Sequence, residues 1–231
     1  MLRSFEGQNI IHCEGVFESE HSIYIILELL RDNFMKKFND RKGLFSEEEV
    51  KRFMHGMVIG LEEMHSSRVM HRDIKPENIL LRGDMSPVIN DFGMAADVDE
   101  EYIFNKCGTP GFVAPEVMSM SKGQHLEPEC DVFSLGAVFH ILLTGRPLFD
   151  GKNCEEVYRR NKALAFDLTH PDYQKVDKEA MNLLERMLET DPSKRIKVKE
   201  MLKHSYLSSV MECEKEVISP ATATSLRSVG F

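Results

Sequence analysis

Asp73, Lys75 and Asn78 lie within the stretch "MHRDIKPENILL", residues 70–81, and a second acid, Asp91, follows in "NDFG". Together they amount to a base, a cation and two oxygen donors suited to a hard metal ion. Phosphoryl transfer asks for this kind of set. It needs little covalent chemistry from a protein, but it needs an oriented nucleophile, positive charge near the phosphates and a held metal. Carboxylate and amide oxygens suit magnesium, which keeps several waters and is shared with substrate phosphates. Taken singly, Asp73 could cap a turn, Asn78 could satisfy loop backbone and Asp91 could be a solvated acid. Turn chemistry does not demand all of them at fixed offsets.

Several elements must position these groups. "FSEEEVKRFMHGMVIGLEEMHSS" opens with Ser46 and Glu49, a capping box, and repeats Val50, Phe53, Met54, Met57, Val58, Leu61 and Met64 on one helical face. Its methionines read as core. Upstream, "NIIHCEGVFES" and "HSIYIILELL" read as two strands of a hairpin, and "NILL", "RGDMSP" and "VIN" as a second, with Pro87 at a strand edge. "CDVFSLGAVFHILLTG" is apolar nearly all round, which predicts a helix buried on most sides. "VDKEAMNLLERMLETDP" predicts an amphipathic helix ended by Asp191 and Pro192. From about Ser208 the chain turns polar, and "ISPATATSLRSVGF" reads as a flexible tail.

The 231 residues, 42% hydrophobic and 29% charged, suffice for one sizeable core. A formal charge of −9 opposes binding to nucleic acid. The most apolar runs are short and interrupted by Glu28 and His140, so neither secretion nor a membrane span is expected. Five cysteines at scattered spacings indicate neither a disulfide framework nor a zinc site, and fit a cytoplasmic or nuclear setting.

Five motifs follow in order: "HRDIKPEN", "DFG", "GTPGFVAPE", "DVFSLG" and "DPSKRI". In this the sequence resembles the eukaryotic protein kinase family from residue 1 to about 207. Lys75 and the "GTPGFVAPE" segment are similar to the serine/threonine branch, and "CGTPGFVAPE" to the calmodulin-dependent-kinase-like group. The resemblance implies an α+β, protein-kinase-like fold, seen mainly as the helical C-lobe with a two-strand remnant of the N-lobe sheet. Residues 1–30 would be the N-lobe remnant and hinge, 31–207 the C-lobe and 208–231 the tail. It further implies ATP and Mg2+ as cofactors, and protein substrates phosphorylated on Ser or Thr. Asp73 would orient the substrate hydroxyl and accept its proton, with Lys75 near the transferred phosphate. Asn78 and Asp91 would hold magnesium. Glu28 and Leu30 fall where the hinge meets adenine, and Leu80 beneath the base. Arg72, Phe92, Gly93 and Thr109 belong to the activation segment or its support. Glu116 and Arg195 match a buried ion pair tying that segment to the helical lobe. His71 reads as a packed core residue.

The family's glycine-rich phosphate loop, strand lysine and paired helix glutamate do not occur in these residues. By register, "MLRSF" resembles the end of that helix. The expectation is therefore a truncated piece of a kinase, weakly active or inactive as it stands. The alternative is a catalytically silent interaction module of pseudokinase type. The strands near the start should expose an unpaired edge and an apolar face.

An arginine in the place of Arg72 commonly pairs with a phosphate on the activation loop. Between Gly93 and Gly108 there is no Ser or Thr, only Tyr102, alongside Asp97, Asp99, Glu100 and Glu101. One of these carboxylates is expected to meet Arg72 directly.

Overall fold

In a computed structural model of the chain, which describes residues 2–43, 45–99, 107–121 and 124–208, the capping box acts as its residues dictate. The Ser46 hydroxyl accepts the Glu49 N–H, and the Glu49 carboxylate accepts the Ser46 N–H. From there α2 runs Glu47–Ser66 and buries Val50, Phe53, Met54, Met57, Val58, Leu61 and Met64, each 5% exposed or less.

Around it lie the strands β1 (Cys13–Ser19), β2 (Ser22–Leu27) and β3 (Asp32–Asn33), then α1 (Phe34–Asp40). After α2 come β4 (Val69–Met70), β5 (Ile79–Leu81), β6 (Pro87–Ile89) and β7 (Ala96–Asp97). The remaining helices are α3 (Pro115–Ser119), α4 (Glu129–Thr144), α5 (Cys154–Lys162), α6 (Lys178–Met187) and α7 (Val198–Met201). β1 pairs with β2, β3-β5-β6 form a three-stranded sheet, and β4 pairs with β7, all antiparallel. Pro87 stands on the edge strand β6, where a missing N–H costs no ladder bond.

The largely apolar helix α4 is buried through most of its length, as its composition requires, and ends at Gly145 in a left-handed cap. α2 and α6 pack against it, and α7 against α2, in a single apolar core. Two boundaries differ from the sequence reading. Ile10 and Ile11 leave the first hairpin and enter the core beside β6. There Ile11 N–H donates to Ile89 O at 2.9 Å and Ile89 N–H to Asn9 O at 2.8 Å. β1 therefore starts only at Cys13. α6 stops at Met187, short of Asp191. The chain turns out because Arg195 takes the Glu189 carbonyl at 2.8 Å and the Ile196 N–H takes the Arg186 carbonyl at 3.2 Å.

The β1–β2 hairpin stands apart from that core. Val16, Phe17, Ile23, Tyr24, Ile25, Ile26 and Leu27 are all exposed, so it buries almost none of its apolar surface. The expected tail falls largely on residues 209–231, outside the described residues.

Candidate active site

The site rests on one buried carboxylate. Asp131, inside α4 and fully buried, accepts the backbone N–H groups of His71 and Arg72, both at 2.8 Å, and meets His65 Nε2 at 3.1 Å. Burial pushes its carboxyl up, but the His65 hydrogen bond and the His71 amide help to outweigh that and hold it below the usual range. These bonds pin the loop after β4 and hold Arg72 in the left-handed region at φ 64°. A charge set in an otherwise apolar helix was the signal in the sequence for such a role, and the motif reading passed over it.

His71 is fully buried. Its Nδ1 accepts the Asp73 N–H at 3.3 Å and its Nε2 lies 3.0 Å from Asn90 O. A ring that accepts at one nitrogen and donates at the other is neutral, and burial lowers its pKa accordingly. The imidazole thus links the Asp73 loop to the residue preceding Asp91.

Asp73 is the most densely bonded acid of the loop. Thr109 Oγ1 donates to Asp73 Oδ1 at 2.7 Å, while Asp73 Oδ2 has Lys75 Nζ at 2.7 Å and Asn78 Nδ2 at 3.1 Å. Lys75 Nζ also donates to Thr109 Oγ1 at 2.7 Å, which closes a triangle of acid, cation and hydroxyl. Burial raises the Asp73 pKa, yet the bonds from Lys75, Thr109 and Asn78 more than offset it and leave a net lowering. The carboxylate is ionised at neutral pH.

Asn78 is buried, with its NH2 group spent on Asp73, on the backbone O at 2.9 Å as well as the carboxylate. Among the described residues nothing donates to its carbonyl oxygen, which leaves that atom for a hard cation. The Asn90 N–H donates to Asn78 O at 2.9 Å, which brings the "NDFG" turn alongside. Asp91 there is exposed, sits at φ 64° and accepts the Gly93 N–H at 3.2 Å. No group of three or more His, Cys, Asp or Glu able to hold a metal occurs among the described residues. One amide and one carboxylate is nevertheless the donor set magnesium takes when phosphates supply the rest. Phe92 packs edge-on against His71, ring centroids 5.3 Å apart, and against Phe5 at 5.9 Å.

At the other end of the cleft, the Glu28 carboxylate is taken by Arg82 at 2.6 and 2.9 Å and by the His12 N–H at 3.0 Å. The Arg82 guanidinium is the main reason its pKa is lowered. This pair, which sequence reasoning missed, ties the segment after β2 to the end of β5, the strand of half-buried Leu80. Leu30, also half-buried, lies two residues beyond Glu28.

Glu116 and Arg195 meet through two bonds, 2.6 and 2.9 Å, with the guanidinium wholly buried. Arg195 also donates to Glu129 O at 2.8 Å and lies over the Phe133 ring at 5.2 Å.

The expected contact between Arg72 and an acid of the next segment is corrected for Asp99. The antiparallel register pairs Val69 with Asp97, so position 68 faces 98 and position 72 faces 94. Accordingly Arg68 grips Asp99 at 2.5 and 3.1 Å, while Arg72 Nε donates to Met94 O at 2.7 Å. Asp97 accepts the Asp99 N–H at 2.9 Å. Glu100, Glu101 and Tyr102 lie outside the described residues.

Residues 1–207 match the family described as the protein kinase domain. The chain is similar to a probable serine/threonine-protein kinase, CCRP1, of Zea mays, 38% identical over 92% of this chain and 34% of the relative. It is also similar to serine/threonine-protein kinase PLK4 of Xenopus tropicalis, 34% identical over 94% of this chain and 24% of the relative. Serine/threonine-protein kinase 33 of Mus musculus is 30% identical over 90% of this chain and 44% of the relative. The chain thus spans less than half the length of each of these relatives.

Proposed function

The chain belongs to the protein kinase domain family, and from that premise we propose that it carries the acceptor side of a serine/threonine kinase site, using ATP and magnesium. The observation that supports this best is the closed set of bonds among Asp73, Lys75, Thr109 and Asn78. In the transfer, a Ser or Thr oxygen of a protein substrate forms a bond to the γ-phosphorus of ATP, and the bond from that phosphorus to the β,γ-bridging oxygen breaks. ADP leaves with the electron pair. Asp73 orients the hydroxyl and takes its proton, and its lowered pKa keeps it ready to do so at neutral pH. Lys75 stands 2.7 Å from Asp73, where its charge faces the phosphoryl group in flight. Asn78 through its carbonyl and Asp91 through its carboxylate would hold magnesium, which when bound neutralises phosphate charge. Glu28 and Leu30 meet adenine through backbone groups, and Leu80 lies beneath it.

Residues 1–231 contain no glycine-rich phosphate loop, so nucleotide positioning is incomplete and turnover by this chain alone is weak. No helix among the described residues is long and apolar enough to cross a membrane. Cys13, Cys107, Cys130 and Cys154 carry free thiols, and a cytoplasmic or nuclear setting is part of the proposal.

The test is transfer of radiolabelled γ-phosphate from ATP and magnesium to a randomised serine/threonine peptide library at high protein concentration. Weak, magnesium-dependent transfer that drops at least about a hundredfold in Asp73→Asn is expected. Transfer untouched by that substitution, or none from the unaltered chain, overturns the proposal.

A further inference from the structure

Asn161, near the end of α5, is fully buried although the helix around it is polar. Its side chain reaches across to the segment that follows Thr109. The Gly111 N–H donates to Asn161 Oδ1 at 3.0 Å, and Asn161 Nδ2 donates to Val113 O at 3.0 Å. One partner can only donate and the other only accept, so the amide has a single workable orientation. No single-function side chain of that size could serve both.

The neighbours of this clamp show what it holds. Gly111 sits at φ 98°, a conformation that other residues rarely adopt, and a β-carbon there would lie 3.3 Å from Val157 on α5. The Ser134 hydroxyl donates to Phe112 O at 2.8 Å, between the two Asn161 bonds. Two residues before Gly111, Thr109 bonds both Asp73 and Lys75. The segment Thr109–Val113 therefore runs from the proposed proton acceptor to α5, with Phe112 and Val113 left partly exposed beside the cleft. A peptide that presents a hydroxyl to Asp73 comes within reach of Thr109 and of the segment that follows it.

We propose that Asn161 is a positioning residue: it sets the backbone against which the protein substrate docks. The proposal rests on the kinase reading above, and it adds α5 to the substrate-recognising surface.

Asn161→Leu keeps roughly the volume and removes both bonds. Asn161→Asp keeps the acceptor for Gly111 and turns an oxygen toward Val113 O. With the best peptide from the library, the Leu variant is expected to raise the peptide KM about tenfold, and the Asp variant about threefold. The KM for ATP should stay within about twofold in both. A merely structural role would instead lower the active fraction, reducing kcat with both KM values unchanged. Amide hydrogen exchange supplies a readout independent of activity. Exchange at Gly111 should quicken about tenfold or more in the Leu variant and stay near the original rate in the Asp variant, with amides of α6 unaffected. Should the Leu variant fail to fold, the Asp variant decides on peptide KM against the KM for ATP. An unchanged peptide KM together with unchanged exchange overturns the clamp. Absence of transfer from the unaltered chain overturns the kinase reading alone, and the exchange result still judges Asn161.

Discussion

Glu49 is gripped from two sides, by Arg41 at 2.5 Å on one oxygen and by the N–H and hydroxyl of Ser46 at 2.9 and 3.0 Å on the other. Arg41 foremost, and then Ser46, draw its carboxyl pKa from 4.5 down to about 2. A group with a depressed folded pKa stabilises the fold fully above its unfolded value, and that contribution is lost as pH falls through the folded one. Glu49 thus stabilises the chain above about pH 4.5 and ceases to as the pH approaches 2. Arg41 is more than a third exposed, so solvent screening trims the effect to on the order of 1–2 kcal/mol. Glu49→Gln should lower the urea midpoint at pH 7, and the gap from the unaltered chain should close between pH 4.5 and 2; a gap independent of pH would refute this. The Ser46 and Glu49 half of the arrangement was legible in the sequence because a capping box is local, four residues wide. Arg41 joins from a separate turn, and nothing in the spacing announces it. The same limit applies to Asn161: within the polar run "CEEVYRRNK" it reads as a solvated residue, because the loop it clamps lies 48 to 50 positions away.

Between elements, α2 and β6 approach closely. A β-carbon on Gly60 would stand 2.9 Å from both Asn9 O and Ile89 Cδ1, and one on Gly56 2.8 Å from Pro87 Cδ. Two glycines one helical turn apart thus let an edge strand lie directly on the helix backbone. Gly60→Ala sets two effects against each other. Helix propensity would gain about 1 kcal/mol, whereas forcing a methyl against a backbone carbonyl costs about 1–3 kcal/mol. The second wins because Asn9 O is backbone and cannot swing away. Net destabilisation on chemical unfolding is expected, and a stabilised variant would show that α2 and β6 are more loosely packed than described. The apolar face of α2 was plain from its period. The use of its two glycines is not legible locally, since it depends on β6, which arrives almost thirty residues later. Short pairings such as β3 with β5 and β4 with β7 went unseen for a related reason: two residues carry no period.

For the molecule as a whole, the Glu116–Arg195 pair joins the segment after Thr109 to the turn beyond α6 across 79 positions. Its guanidinium is fully buried. Glu116→Ala should therefore destabilise by about 3–5 kcal/mol, since it strands a buried charge. A loss below about 1 kcal/mol on urea unfolding would place that charge in water instead. The family resemblance made this pair and the helical lobe readable, because the motifs carry long-range geometry that propensity and period cannot. It said nothing of Ile10 and Ile11, whose apolar character fits a strand of the hairpin equally well until β6 is there to receive them. Their position has a mechanical meaning. Residues 9–11 are laced to Ile89, two places before Asp91. Tension drawn through the amino-terminal stretch would register at that aspartate, and a pull on the tip of the β1–β2 hairpin would also reach the end of β5, through Glu28 and Arg82.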